Sequence, residues 1–120
     1  MALTRRQCLA TGVAWAGACH TGVWAQDTYP SRPVRVIVPQ PPGGGFDFVA
    51  RVLADKLAQT FKAGVVVENR TGSGTLVGTD LAAKAAPDGY TLLMGSVSNL
   101  VLNVGLFKQL SYDPLRDFEP

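Results

Sequence analysis

At 120 residues, with 47% hydrophobic and 17% charged residues, the chain has room for one small globular domain and is too apolar to be disordered. Its 11 Lys and Arg outnumber 9 Asp and Glu only through Arg5 and Arg6 at the extreme N-terminus. Everything after them is charge-balanced, which excludes a basic nucleic-acid surface.

The first element is a leader. Met1 to Arg6 is a short basic region, Leu9 to Ala18 is apolar and built of small residues, and Val23-Trp24-Ala25 approximates a small-x-small cleavage site. Residues 1–25 are expected to be a signal peptide cut after Ala25. The apolar run is shorter than the roughly 20 residues that span a bilayer as a helix. Arg5-Arg6 followed by Leu9 also fits a twin-arginine export signal. Ala16-Gly17-Ala18-Cys19 partly matches a lipoprotein acylation box, with Ala16 where Leu is usual. Cys8, Cys19 and His20 all precede the cleavage site, so residues 26–120 contain neither Cys nor His. That removes a thiol nucleophile, an intramolecular disulfide, a Cys or His zinc site and a His-assisted triad. Asp47, Asp55, Glu68, Asp80 and Asp88 show no metal-loop spacing. No catalytic residue, metal or cofactor is expected.

Strands and helices then alternate. Val34 to Val38 is a β-branched run stopped by Pro39 and predicts a strand. From Asp47 to about Phe61, Val49, Val52, Leu53, Leu57 and Phe61 predict the apolar stripe of a helix, with Asp47 at its N-cap or first turn and Gly64 closing it. Val65 to Val67 is a second strand, Thr71 to Thr75 a loop and Leu76 to Ala86 a second helix. Pro87-Asp88-Gly89 turns the chain into a third strand, Tyr90 to Met94. Ser98 to Leu110 reads as a short helix bent near Gly105, and Tyr112 to Phe118 as a turn with a short helical segment. The expected fold class is α/β, a parallel sheet flanked by helices.

Ligands of such sheets collect beyond the carboxyl ends of the strands. Those ends carry Pro41 to Asp47, Asn69 to Gly74 and Gly95 to Asn99. Gly43, Gly44 and Gly45 place no Cβ between backbone and ligand, and the next helix aims its free N–H groups and positive dipole end at the same spot. That suits a carboxylate; a tight turn alone would also use the glycines. Arg70 could hold a carboxylate bidentately or pair with a surface acid. Ser96, Ser98 and Asn99 offer neutral donors and acceptors, or helix caps. A dinucleotide-binding enzyme domain is the competing class, since Gly43-x-Gly45 follows a strand and Glu68 ends the next. Its third glycine would fall at Phe48, whose ring is expected to spoil helix–strand packing, and Pro41-Pro42 stiffens the turn.

Pro39-Gln40-Pro41-Pro42-Gly43-Gly44-Gly45-Phe46-Asp47, Val66-Val67-Glu68-Asn69-Arg70 and Ala85-Ala86-Pro87-Asp88-Gly89-Tyr90-Thr91-Leu92-Leu93 occur here in an order and spacing of their own. Together they closely resemble the mature N-terminus of the Bug family, the periplasmic solute-binding proteins of tripartite tricarboxylate transporters. The resemblance runs from about Tyr29 to Pro120. It implies a periplasmic receptor for a small carboxylate, working with the transporter's membrane components and not an enzyme. It implies a type II periplasmic-binding-protein-like fold of two α/β domains closing on the ligand. The ligand-binding residues it points to are Gly43, Gly44, Gly45, Phe46, Asp47, Arg70, Ser96, Ser98 and Asn99. Family members commonly have Thr or a small residue in place of Phe46 and often Pro in place of Thr71. Phe46 widens the apolar wall, so small dicarboxylates, aromatic acids and nicotinate-like compounds are all open. On this resemblance, the second domain and the segment completing the first are expected to be missing after Pro120. Residues 26–120 are thus expected to be the N-terminal part of domain 1, from a receptor fragment, a decayed gene or a real short product.

Overall fold

The computed structural model describes residues 28–120. The proposed leader over residues 1–25, its cleavage site, the twin-arginine pair and Cys19 lie outside the described residues. The described chain runs β1 (Val34–Val38), α1 (Gly45–Phe61), β2 (Val65–Asn69), α2 (Leu76–Ala83), β3 (Thr91–Leu93) and α3 (Asn103–Leu106). The strands form one parallel sheet in the order β2-β1-β3. Strand β1 is central, and Val34, Val36, Ile37 and Val38 are all buried. A strand covered on both faces must be apolar on both, which is why this one reads as an unbroken β-branched run interrupted only by Arg35.

Register fixes the two faces. Val36 pairs with Val67 on one side and Leu92 on the other, while Val38 pairs with Asn69. Side chains two residues apart share a face, so Val36, Val38, Val65, Val67 and Met94 form one apolar surface, closed by Ala50 of α1. Ile37, on the opposite face, is fully buried, and α2 packs against β1 and β3.

Helix α1 is rotated from its expected orientation. The stripe predicted at Val49, Val52, Leu53, Leu57 and Phe61 is only partly inward: Val49, Val52 and Leu53 are about half exposed, and Phe48 is 69% exposed. The inner face is Asp47, Ala50, Ala54, Leu57 and Phe61. Two alanines let the helix axis lie close to the valine surface, where larger side chains would hold it off. The ring of Phe48 therefore does not obstruct helix–strand packing, contrary to the sequence expectation. Nor does Gly64 close the helix: Lys62 makes the left-handed turn at φ 54°, and the Gly64 carbonyl accepts the Val34 N–H at 3.0 Å.

Beyond β2 the expected loop tightens into a single turn, Ser73–Thr75, and α2 stops at Ala83, short of the expected Ala86. Helix α2 approaches the end of β1 closely at Gly78. A Cβ there would lie 2.4 Å from the Arg70 carbonyl oxygen and 3.0 Å from Pro39 Cα, so only glycine fits. After β3 a wide turn over Ser98–Leu102, in which the Asn103 N–H reaches back to the Ser98 carbonyl, leads into α3. The helix ends at Leu106, with Phe107 extended, and Gly105 does not bend it.

Candidate ligand-binding site

The loops after β1, β2 and β3 leave the same end of the sheet and are cross-linked there. Asp47, in the first turn of α1, is 4% exposed. Its Oδ2 accepts the Gly43 N–H at 2.8 Å and Arg51 Nε at 3.1 Å, and its Oδ1 lies 3.0 Å from Arg51 Nη2. Arg51 Nη2 also donates to Asn69 Oδ1 at 3.3 Å, and Asn69 Nδ2 donates to the Gln40 carbonyl at 3.2 Å. The glycine loop is thus held at both ends, at Gln40 from the end of β2 and at Gly43 from the first turn of α1. The bonds from Arg51 and the Gly43 N–H hold the Asp47 carboxyl down at about 2, from an ordinary 3.8, against a smaller upward push from burial.

Within that frame the glycines differ. Gly43 has φ +81° and supplies the left-handed turn. Gly45 opens α1 outside the left-handed region, and a Cβ on it would meet nothing within 4 Å. Neither backbone conformation nor packing among the described residues requires glycine there. No side chain caps α1 at Gly44. The first N–H groups of the helix therefore have no side-chain acceptor at the cap among the described residues. Gly45, Phe46, Val49 and Met94 line a shallow, almost wholly apolar depression of about 300 Å³ at that point. Phe46 forms one wall and is 43% exposed.

The third loop is tied to the first by Gln40 Nε2, which donates to Ser96 Oγ at 3.4 Å. Asn99 is fully buried. Its Oδ1 accepts the Ser96 N–H at 2.7 Å and the Ser96 hydroxyl at 3.0 Å, and its Nδ2 donates to the Met94 carbonyl. Asn99 so shapes the loop from within, whereas Ser98 is exposed. Arg70 turns back onto Glu68, with Nη2 at 2.9 Å and Nε at 3.2 Å. Glu68 also receives Arg35, at 2.8 and 3.1 Å; these two arginines, Arg35 foremost, lower its carboxyl below the ordinary value. Of the residues singled out from sequence, Gly43, Gly44, Gly45, Phe46 and Asp47 are contiguous, and Ser96 and Asn99 are joined to them through Gln40. The bond to Glu68 engages Arg70. Arg51 was not singled out, although its i, i+4 spacing from Asp47 is legible; the parts of Gln40 and Asn69 depend on strand register. Among the described residues no cluster of three or more His, Cys, Asp or Glu is arranged to hold a metal.

Residues 49–120, more than half of the chain, match the family model for the tripartite tricarboxylate transporter family receptor. The chain belongs to that family. Protein BugT of Bordetella pertussis is 50% identical over 95 residues, covering 78% of this chain and 29% of BugT. A solved structure described as a periplasmic transporter is 44% identical with a TM-score of 0.71, over 73% of this chain and 30% of that one. MatC from Rhodopseudomonas palustris, solved with bound malate, is 39% identical with a TM-score of 0.73, over 77% of this chain and 31% of MatC. The chain thus spans less than a third of the length of BugT and of these two structures. The fold is a partial periplasmic-binding-protein α/β unit, a three-stranded parallel sheet with helices.

Proposed function

We propose that residues 26–120 are the N-terminal part of domain 1 of a periplasmic receptor. It captures a small carboxylate at the carboxyl end of its sheet and delivers it to the membrane components of a tripartite tricarboxylate-type transporter. Export depends on the leader over residues 1–25. The observation that carries this reading is Gly45, a glycine that neither conformation nor packing among the described residues requires, at a helix start with no side-chain cap among them, beside an open apolar shelf. A carboxylate laid there accepts N–H groups that have no intrahelical partner, and the dipole end favours its charge. The carbon skeleton rests on Phe46, Val49 and Met94. Malate in MatC belongs to the ligand class this geometry suits. Gly43, Gly44, Gly45 and Phe46 are the contact residues; Asp47 and Asn99 shape their loops, Ser96 and Ser98 border the site, and Arg70, held by Glu68, stands on the neighbouring loop after β2. The chain is read as binding and releasing without chemistry, because its family is a receptor family. Membership of a receptor family is what ranks this above the dinucleotide-binding reading.

Thermal unfolding with a panel of mono- and dicarboxylates tests the proposal. A ligand bound only to the folded form at 100 times its dissociation constant adds about 2.7 kcal/mol, so malate or a relative should raise the midpoint saturably. A shift with NAD and none with any carboxylate would reverse the assignment.

A further inference from the structure

Asp47 poses an electrostatic problem. Its carboxylate is buried in the first turn of the helix whose N-terminus the receptor reading gives to an anionic ligand, and two like charges in one site repel. It cannot simply be dispensed with, because its Oδ2 holds the Gly43 N–H at 2.8 Å. Arg51, one turn further along α1, meets Asp47 with Nε and Nη2 at 3.1 and 3.0 Å. Its side chain is 54% exposed while that of Asp47 is 6% exposed, so the pair buries the acid and leaves the cation at the rim. Arg51 Nη2 reaches Asn69 Oδ1 as well, and Asn69 holds the Gln40 carbonyl.

We propose that Arg51 is a positioning residue of the ligand site: it cancels the charge of Asp47, so that Asp47 can brace the glycine loop without repelling a bound carboxylate, and it links that brace to the end of β2. This rests on the receptor reading for its ligand, but the pairing itself can be judged without one. Arg51 touches the ligand in no step; it acts through Asp47 and Asn69.

The test uses the whole chain and malate as probe. Arg51→Gln removes the charge and keeps a polar side chain, and should weaken malate about tenfold, the scale of one uncompensated charge near the site. Asp47→Asn in the same chain leaves an oxygen for the Gly43 N–H and no charge to cancel, so D47N/R51Q should regain most of the lost affinity. A purely structural role for Arg51 predicts no such recovery. Independently of ligand, NMR titration of the Asp47 carboxyl should show it moving up toward the usual carboxylate range in R51Q. If the parent chain binds malate and R51Q binds it equally, or D47N/R51Q stays as weak as R51Q, the inference is wrong and the receptor reading stands. If the parent chain binds no carboxylate, the ligand site proposed at the start of α1 fails for this chain, and an unmoved Asp47 titration in R51Q would then refute the pairing too.

Discussion

The Tyr112 hydroxyl donates to the Asn99 carbonyl at 2.5 Å, in a site where both residues are buried. The same hydroxyl accepts Asn103 Nδ2 at 3.2 Å, and that amide also reaches the Gly74 carbonyl and Thr75 Oγ1. One phenol thereby fastens the segment after α3 to the loop after β3, and through Asn103 to the loop after β2. Two of the three loops at the proposed site depend on it.

Tyr112→Phe is accordingly expected to cost about 1–3 kcal/mol, the range for leaving a buried acceptor unsatisfied. Chemical denaturation should show a lower midpoint at an unchanged slope. Hydrogen exchange should rise around Asn99 and Asn103 and stay level in β1. A midpoint equal to that of the parent would mean that water or a relaxed backbone replaces the hydroxyl.

Acid should destabilise the fold through Asp47. Its folded pKa, about 2, lies below its ordinary 3.8, so the carboxylate form is favoured by folding. Its contribution is complete above the ordinary value and disappears as pH falls from about 4 through about 2. Glu68, lowered by Arg35 and Arg70, adds to the same limb. Unfolding midpoints of the parent and of Asp47→Asn, compared across that window, check the sign. The variant should show the flatter acid limb, and parallel curves would assign the acid sensitivity elsewhere.

Much of this was legible in the sequence, and the reasons are local. The β-branched run ended by Pro39 specifies β1, and Pro87-Asp88-Gly89 sets the approach to β3. The face of α1 was not legible, because the helix uses Ala50 and Ala54 for close approach and leaves the bulkier Val52 and Leu53 half exposed. Hydrophobicity ranks those residues the other way round. Gly78 gave no sign of its importance either, since its need for a bare Cα comes from the Arg70 carbonyl across the turn after β2 and from Pro39, distant in sequence. The glycine loop announced itself, whereas its brace through Asn69 requires knowing that Val38 pairs with Asn69.

Gly45→Ala tests the central claim most directly. The added methyl meets nothing within 4 Å among the described residues, and alanine suits a helix better than glycine by up to about 1 kcal/mol. The variant should unfold at the same temperature as the parent or slightly above it. If a carboxylate lies against this backbone, the methyl occupies its place, and calorimetric titration with malate should show affinity falling at least about tenfold, a loss of about 1.4 kcal/mol. Stability kept and binding lost is the predicted result. Malate bound equally well by the parent and by Gly45→Ala would contradict the claim that the ligand sits at the start of α1.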